Sequence, residues 1–260
     1  MKKLGIAMLS VCLLCGLLLQ PCYAEKQGFS WYCVHAKGHV QPRADASLAF
    51  VEELGGYYID HKHEAQDEPD KVIYLTFDAG YENGNVAKIL DILKEEKVPS
   101  AFFILGNLIK HDTALVKRMA EEGHLVCNHT VRHKDMSRAD DETLLTELKD
   151  LEKLYEERTG YQMAAYYRPP EGRFSRENLV CAKENGYKTI FWSFAYPDWD
   201  NGRQISLKKA KAMILDNAHN GEVMLLHPTS ETNAAILMDV IRELKAQGYR
   251  FGTLDELTEA

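Results

Sequence analysis

The chain reads as an α/β protein built on a parallel sheet, either open or closed into a barrel. Two observations lead there. From residue 72 onward, short β-prone apolar runs alternate with stretches of helical period, the rhythm of βα units and parallel strands. Gly123, Gly160, Gly186 and Gly248 then stand just past helical stretches, where a left-handed residue most easily ends a helix.

The strand-like runs are VIYLTF (72–77), SAFFIL (100–105), HLVCN (124–128), AAYYR (164–168), KTIFWSF (188–194), EVMLLH (222–227) and RFGTL (250–254). Between them, Val86, Ile89, Leu90 and Leu93 recur at helical spacing, as do Leu144, Leu148, Leu151 and Tyr155. Residues 25–70 lack this beat. They hold one predicted short helix, Ala46 to Leu54, and the charged stretch HKHEAQDEPD. They read as an arm and linker packed on a domain of residues 71–257.

Lys2 and Lys3 precede an apolar run from Leu4 to Leu19, and Cys22-Tyr23-Ala24 offers a peptidase small residues at a cut. Residues 1–24 therefore read as a secretory signal peptide. The run is short for a membrane anchor, so the expected location is extracytoplasmic, with no stable span after cleavage. Cleavage removes two lysines and no acid, making a chain of formal charge −8 more acidic still. Nucleic acid is a poor partner for such a surface, because phosphate affinity comes mostly from Lys and Arg. Of six cysteines, Cys33, Cys127 and Cys181 would remain. Their spacing matches no metal knuckle. Small buried hydrophobes is the favoured reading for Cys127 and Cys181; one disulfide is compatible with the sequence, which does not choose a pair.

The unusual polar residues fall at carboxyl ends of predicted strands, where parallel α/β proteins place their chemistry. Asp78 follows the first strand, His129 the third, and Arg168 closes the fourth. Asp198 comes just past the fifth, and His227 ends the sixth. Each has a plainer explanation. Asp78 would also serve as a helix cap, His129 and His133 are a common HxxxH spacing short of a third zinc ligand, and a strand-end His227 is by default a satisfied core histidine. Five such groups on one rim point to catalysis instead. As rim groups, they should be replaceable with little loss of packing.

In order, TFDAG, HTVRH, RPPEG, DW and LLH resemble the five motifs of the polysaccharide deacetylase family, the NodB-homology carbohydrate esterases. The resemblance spans about residues 71–257. YLTFDAGYENGN, YRPPEGRFS, WSFAYPDW and the arm beginning FSWYCVHAKGH are similar to its muramic-acid deacetylases of spore cortex synthesis. The resemblance implies a distorted (β/α)7-type barrel with an N-terminal arm, hydrolysing N-acetyl groups of peptidoglycan muramic acid. It implies Asp78 as base, Arg168 as its orienting partner, His227 as leaving-group acid and Asp198 as the partner of His227. Glu171 offers a backbone N–H to the oxyanion, and Tyr81, Trp199 or Phe174 would line the sugar face. Arg173 is the candidate cation for a lactyl carboxylate. An amidase that removes stem peptides would act first.

In most of the family the residue after the base is a second Asp, which joins the two histidines on a divalent metal. Here it is Ala79, and the muramic-acid group also departs from Asp there. Two alternatives follow. Either His129, His133 and waters hold a zinc-like ion weakly, with help from Asp78 or substrate, or His129 polarises the carbonyl without one; the weak metal is preferred. The rivals are a deacetylase of N-acetylglucosamine in peptidoglycan or chitin oligomers, a non-catalytic sugar-binding domain, and a glycosidase using Asp78 and Asp198 as its carboxylate pair. The last leaves the His and Arg partners without a role.

Overall fold

The computed structural model describes residues 27–64 and 69–259. The expected signal peptide and residues 65–68 of the linker lie outside the described residues. Ten strands are found there: β1 (Phe29–Ser30), β2 (Gly56–Tyr57), β3 (Lys71–Ala79), β4 (Ala101–Ile104), β5 (Leu125–Asn128), β6 (Ala164–Tyr167), β7 (Arg173–Phe174), β8 (Lys188–Ile190), β9 (Glu222–Leu226) and β10 (Tyr249–Phe251). The helices are α1 (Phe50–Glu53), α2 (Asn85–Glu96), α3 (Gly106–His111), α4 (Thr113–Glu121), α5 (Asp141–Thr159), α6 (Arg176–Glu184), α7 (Leu207–Asn217), α8 (Glu231–Ala246) and α9 (Leu254–Thr258). All seven strands expected from residue 72 onward are present. The four punctuating glycines end their helices with φ between 81° and 90°.

Parallel pairing runs β3–β4–β5–β6–β8, with β9 and β10 also on β3. The sheet curls into a half-barrel. Its gap is spanned where the chain beyond β8 crosses to β9, through a single bridge between Phe194 and Met224. That crossing explains why the expected strand 188–194 stops at Ile190. Ser193 donates to the Val223 carbonyl at 3.0 Å, and Leu225 donates to the Phe194 carbonyl at 2.9 Å.

Alternation along β3 divides the core. Ile73, Leu75, Phe77 and Ala79 face outward into a cluster with α2 and α8, which includes Val86, Ile89, Leu90, Leu93, Ile236 and Leu237. Val72 and Tyr74 face a second cluster with Phe103, Cys127, Tyr166, Ile190 and Leu257. A period of two places Thr76 and Asp78 on this inner face. An acid thus ends the inner row of a buried strand.

Residues 29–63 belong to the fold more intimately than an attached arm. β2 extends the main sheet beside β8, and β1 pairs antiparallel with β7. Trp31, Phe50, Tyr58, Ile59, Phe174 and Phe191 share one buried cluster. Here Phe174 is 1% exposed, so it packs under the arm and does not line a sugar face as expected. The short helix of the arm is split into a 3-10 turn, Ala46–Leu48, and α1. Cys127 and Cys181 are buried, in keeping with their apolar surroundings in the sequence. Among the described residues no helix is long and apolar enough to cross a membrane.

Candidate active site

Asp78 caps no helix: α2 starts at Gly84 without a side-chain cap. Its carboxylate instead meets Arg168, whose Nη1 donates to Oδ1 at 2.7 Å. Arg168 is fully buried. Its Nε donates to the Ile190 carbonyl at 3.0 Å, and Nη2 donates to Thr76 Oγ1 at 3.0 Å and the Phe191 carbonyl at 3.2 Å. The guanidinium also lies 4.1 Å from the Phe103 ring centre. This overturns the expectation that Arg168 is a rim group whose loss costs little packing. It is a buried strut tying β3, β6 and the β8 crossing together.

His129 Nδ1 lies 2.8 Å from the Arg168 carbonyl. A carbonyl only accepts, so the proton sits on Nδ1 and Nε2 keeps its lone pair. Burial drives the imidazole pKa down to about 4 against the pull of Asp78, so it is neutral at neutral pH. Its Nε2 faces Asp78 Oδ2 at 3.5 Å. Two lone-pair atoms so placed favour a proton donor or a cation between them. Two ligands on a tetrahedral zinc would sit about 3.4 Å apart, so the pair fits a divalent ion. His133 stands edge-on to His129, ring centres 5.0 Å apart. Among the described residues no three His, Cys, Asp or Glu side chains assemble into a metal-holding group; Ala79, which lines the same cavity, adds no ligand atom.

Asp78 itself is desolvated, which alone would raise its pKa. Arg168, His129 and His227 outweigh that and hold the carboxyl below the usual range. It is therefore ionised at neutral pH, positioned by Arg168 but weakened as a base.

Across the cavity, His227 Nδ1 lies 2.7 Å from Asp198 Oδ1, and the His227 backbone N–H donates to Oδ2 at 2.8 Å. Burial would lower the His227 pKa, but the hydrogen bond and charge of Asp198 win and raise it. The proton on Nδ1 belongs to that bond, leaving Nε2 to exchange protons with a ligand. The site thus pairs an ionised acid with an imidazole tuned toward its protonated form, an arrangement able to run acid–base hydrolysis.

These groups share one cavity of about 670 Å³, lined by Asp78, Ala79, Tyr81, His129, His133, Glu171, Trp199 and His227 among others. Tyr81 and Trp199 are 45% and 59% exposed and offer rings to a sugar. Two cavity-lining residues, His133 (φ 57°) and Glu171 (φ 55°), have left-handed backbones, as does Thr130 (φ 70°), next in the chain to His129. Such strain persists only where surroundings enforce it. For Glu171 the enforcing element is the arm: Trp31 donates its backbone N–H to the Gly172 carbonyl at 2.8 Å. A Cβ on Gly172 would meet the Trp192 ring at 2.8 Å. Arg173 is absent from the cavity wall. Its guanidinium is held by Asp135 at 2.8 Å and by Glu171 at 3.2 Å.

Sequence reasoning missed the supports of the histidine loop. Buried Glu147 accepts from Arg132 Nε at 2.7 Å and from the Arg132 backbone N–H at 3.0 Å. Asn128 Oδ1 accepts from the Thr130 N–H at 2.9 Å. A signal existed for Glu147: it lies on the apolar stripe of α5, between Leu144 and Leu148, where an unpaired acid would be costly.

The fold and this constellation define a class, and comparison with known proteins agrees. A family model described as polysaccharide deacetylase matches residues 65–190. The chain is 37% identical to peptidoglycan-N-acetylmuramic acid deacetylase PdaA of Bacillus subtilis, over 96% of this chain and 95% of that protein. The chain belongs to the polysaccharide deacetylase family, the family 4 carbohydrate esterases, and is a hydrolase of N-acetyl amide bonds. The solved structure of the Bacillus subtilis enzyme superposes with a TM-score of 0.83 at 37% identity, covering 88% of this chain and 96% of that one. A peptidoglycan-N-acetylglucosamine deacetylase of Bacillus cereus is 35% identical over 72% of this chain and 88% of its own length.

Proposed function

We propose that the protein removes the N-acetyl group from muramic acid in peptidoglycan strands whose stem peptides an amidase has already cut away. One observation favours this sugar. Similarity to the muramic-acid deacetylase covers 96% of the chain, whereas similarity to the Bacillus cereus glucosamine deacetylase covers 72%. A match that broad must take in most of the arm, which buttresses the Glu171 turn. Deacetylated muramic acid places a free amine within reach of its lactyl carboxylate, and the two can close a six-membered lactam, the modification expected of a spore cortex enzyme. Such a substrate is met outside the cytoplasm, in keeping with the signal peptide read at residues 1–24.

Asp78 takes a proton from the attacking water as its oxygen bonds to the acetyl carbon. The Glu171 backbone N–H donates to the oxyanion; losing one such donor typically costs about 10²–10³-fold in rate. His227 then protonates the sugar nitrogen as the C–N bond breaks, releasing acetate and the free amine. His129 and His133, with waters, would hold a zinc-like ion loosely, and such an ion would polarise the acetyl carbonyl. Tyr81 and Trp199 stack on sugar faces. Arg173, 47% exposed at its side chain, would meet the lactyl carboxylate by exchanging it for Glu171.

Mass spectrometry of glycan strands after incubation tests the assignment. Peptide-stripped strands should lose acetyl from muramic acid, strands with stem peptides should not, and Arg173→Ala should raise KM on the former with kcat little changed. Loss of acetyl from glucosamine, or equal activity on both kinds of strand, would refute the muramic assignment and leave the deacetylase reading intact.

Ala79→Asp tests the metal. Three protein ligands and a water make a complete catalytic zinc site, so calorimetry should show zinc bound at least about tenfold more tightly by the variant. Equal affinities would show that position 79 does not stand where a ligand is missing. A fall in melting temperature that zinc fails to reverse would show the new carboxylate buried in the outer cluster that holds Ala79.

A further inference from the structure

The Asp198 carboxylate is held by a side chain that no motif marks. Asn233, in the first turn of α8, is 1% exposed, and its Nδ2 donates to Asp198 Oδ2 at 2.6 Å and to the His227 carbonyl at 3.1 Å. Its Oδ1 accepts the Tyr196 hydroxyl proton, and its backbone N–H donates to the helix cap, Ser230 Oγ, at 3.1 Å. The amide thus uses both N–H groups and its oxygen. Because the Tyr196 hydroxyl occupies the oxygen side, the amide cannot flip without setting its oxygen against the Asp198 carboxylate.

This arrangement does more than fill a core. Asp198 has Oδ1 on the His227 ring, while Oδ2 takes the His227 backbone N–H and the Asn233 amide. A carboxylate pinned at both oxygens cannot rotate, so the imidazole it holds cannot swing. Asn233 also grips the His227 carbonyl and fixes backbone and ring together. We propose that Asn233 is a positioning residue for the leaving-group acid, acting through Asp198 to aim His227 at the departing nitrogen, with Tyr196 setting the orientation of its amide. The inference rests on the reading of His227 as the acid and is independent of which sugar is deacetylated.

The test uses leaving groups. An amine must be protonated to depart, whereas 4-nitrophenolate leaves without an acid. For Asn233→Leu, kcat for acetate release from glycan strands should fall about 30-fold, with KM within about twofold of wild type. Hydrolysis of 4-nitrophenyl acetate by the same protein should fall less than about threefold. Tyr196→Phe, which removes one hydroxyl and keeps the ring, should show the same split at about three- to tenfold. The double variant should be no worse than Asn233→Leu alone, because both act along one route. Equal losses on amide and aryl ester, in Asn233→Leu or in Tyr196→Phe should the first not fold, would overturn the proposal and leave Asn233 a packing residue. His227→Ala is the control. If it shows the split and the Asn233 and Tyr196 variants do not, this inference fails alone; if it spares the amide, the reading of His227 as the acid fails.

Discussion

Asp78→Asn is expected to keep its fold and lose about a thousandfold in acetate release, the middle of the range for removing a general base. The amide cannot take a proton from water. It still offers an oxygen to Arg168 Nη1, now 2.7 Å from Asp78 Oδ1, and its NH₂ can face the lone pair on His129 Nε2, now 3.5 Å from Oδ2. The buried guanidinium loses its counter-charge, but keeps Thr76 Oγ1, two carbonyls and the Phe103 ring. The stability cost should therefore stay near about 1–2 kcal/mol. Acetate release and thermal unfolding measured on one preparation check both halves. Turnover near wild type in a folded Asp78→Asn protein would refute Asp78 as the base.

Arg168→Ala should have the opposite signature, a loss of stability that comes before any question of rate. Truncation removes four hydrogen bonds at once and leaves the Asp78 carboxylate, 10% exposed, without its cation. Breaking a buried pair from one side typically costs about 3–5 kcal/mol. For a domain of this size that lowers the melting temperature by about 10–15 °C. The carbonyls of Ile190 and Phe191 lose a donor where the chain leaves β8 for β9, so the mouth of the half-barrel should loosen as well. Differential scanning calorimetry measures the shift. A melting temperature equal to wild type would show that water or a neighbour takes the place of Arg168, and that the residue is the orienting side group first expected.

His129 adds a pH dependence to the same core. Its folded pKa, about 4, is below the ordinary value of 6.5. Stability from keeping this ring neutral is therefore present above about 6.5 and is withdrawn as pH falls toward 4. His227 has the opposite sign, because its folded pKa is raised. Its contribution is full below the ordinary value and is lost as pH rises through the folded one.

The α/β class, the seven strands beyond residue 71, the helix-ending glycines and the placement of Asp78, His129, Arg168 and His227 at strand ends were all legible in the sequence, whereas Asp198 stands well past β8, which ends at Ile190. These depend on local signals: periodicity, left-handed stops, and a polar residue closing an apolar run. A lone chain segment displays them without knowing its neighbours. The tertiary structure alone decided which of those ends meet across the half-barrel, and how. It made Arg168 a buried strut, because β6 delivers the side chain to the inner face beside Thr76 and not to solvent. It put Phe174 beneath the arm and brought Asp135, 38 positions away, onto the Arg173 guanidinium. It also brought Asn233, an unremarked residue in the first turn of α8, onto Asp198, 35 positions away. Hydrogen bonds of that separation leave no periodic trace, since each depends on two local patterns being brought together by the curl of the sheet.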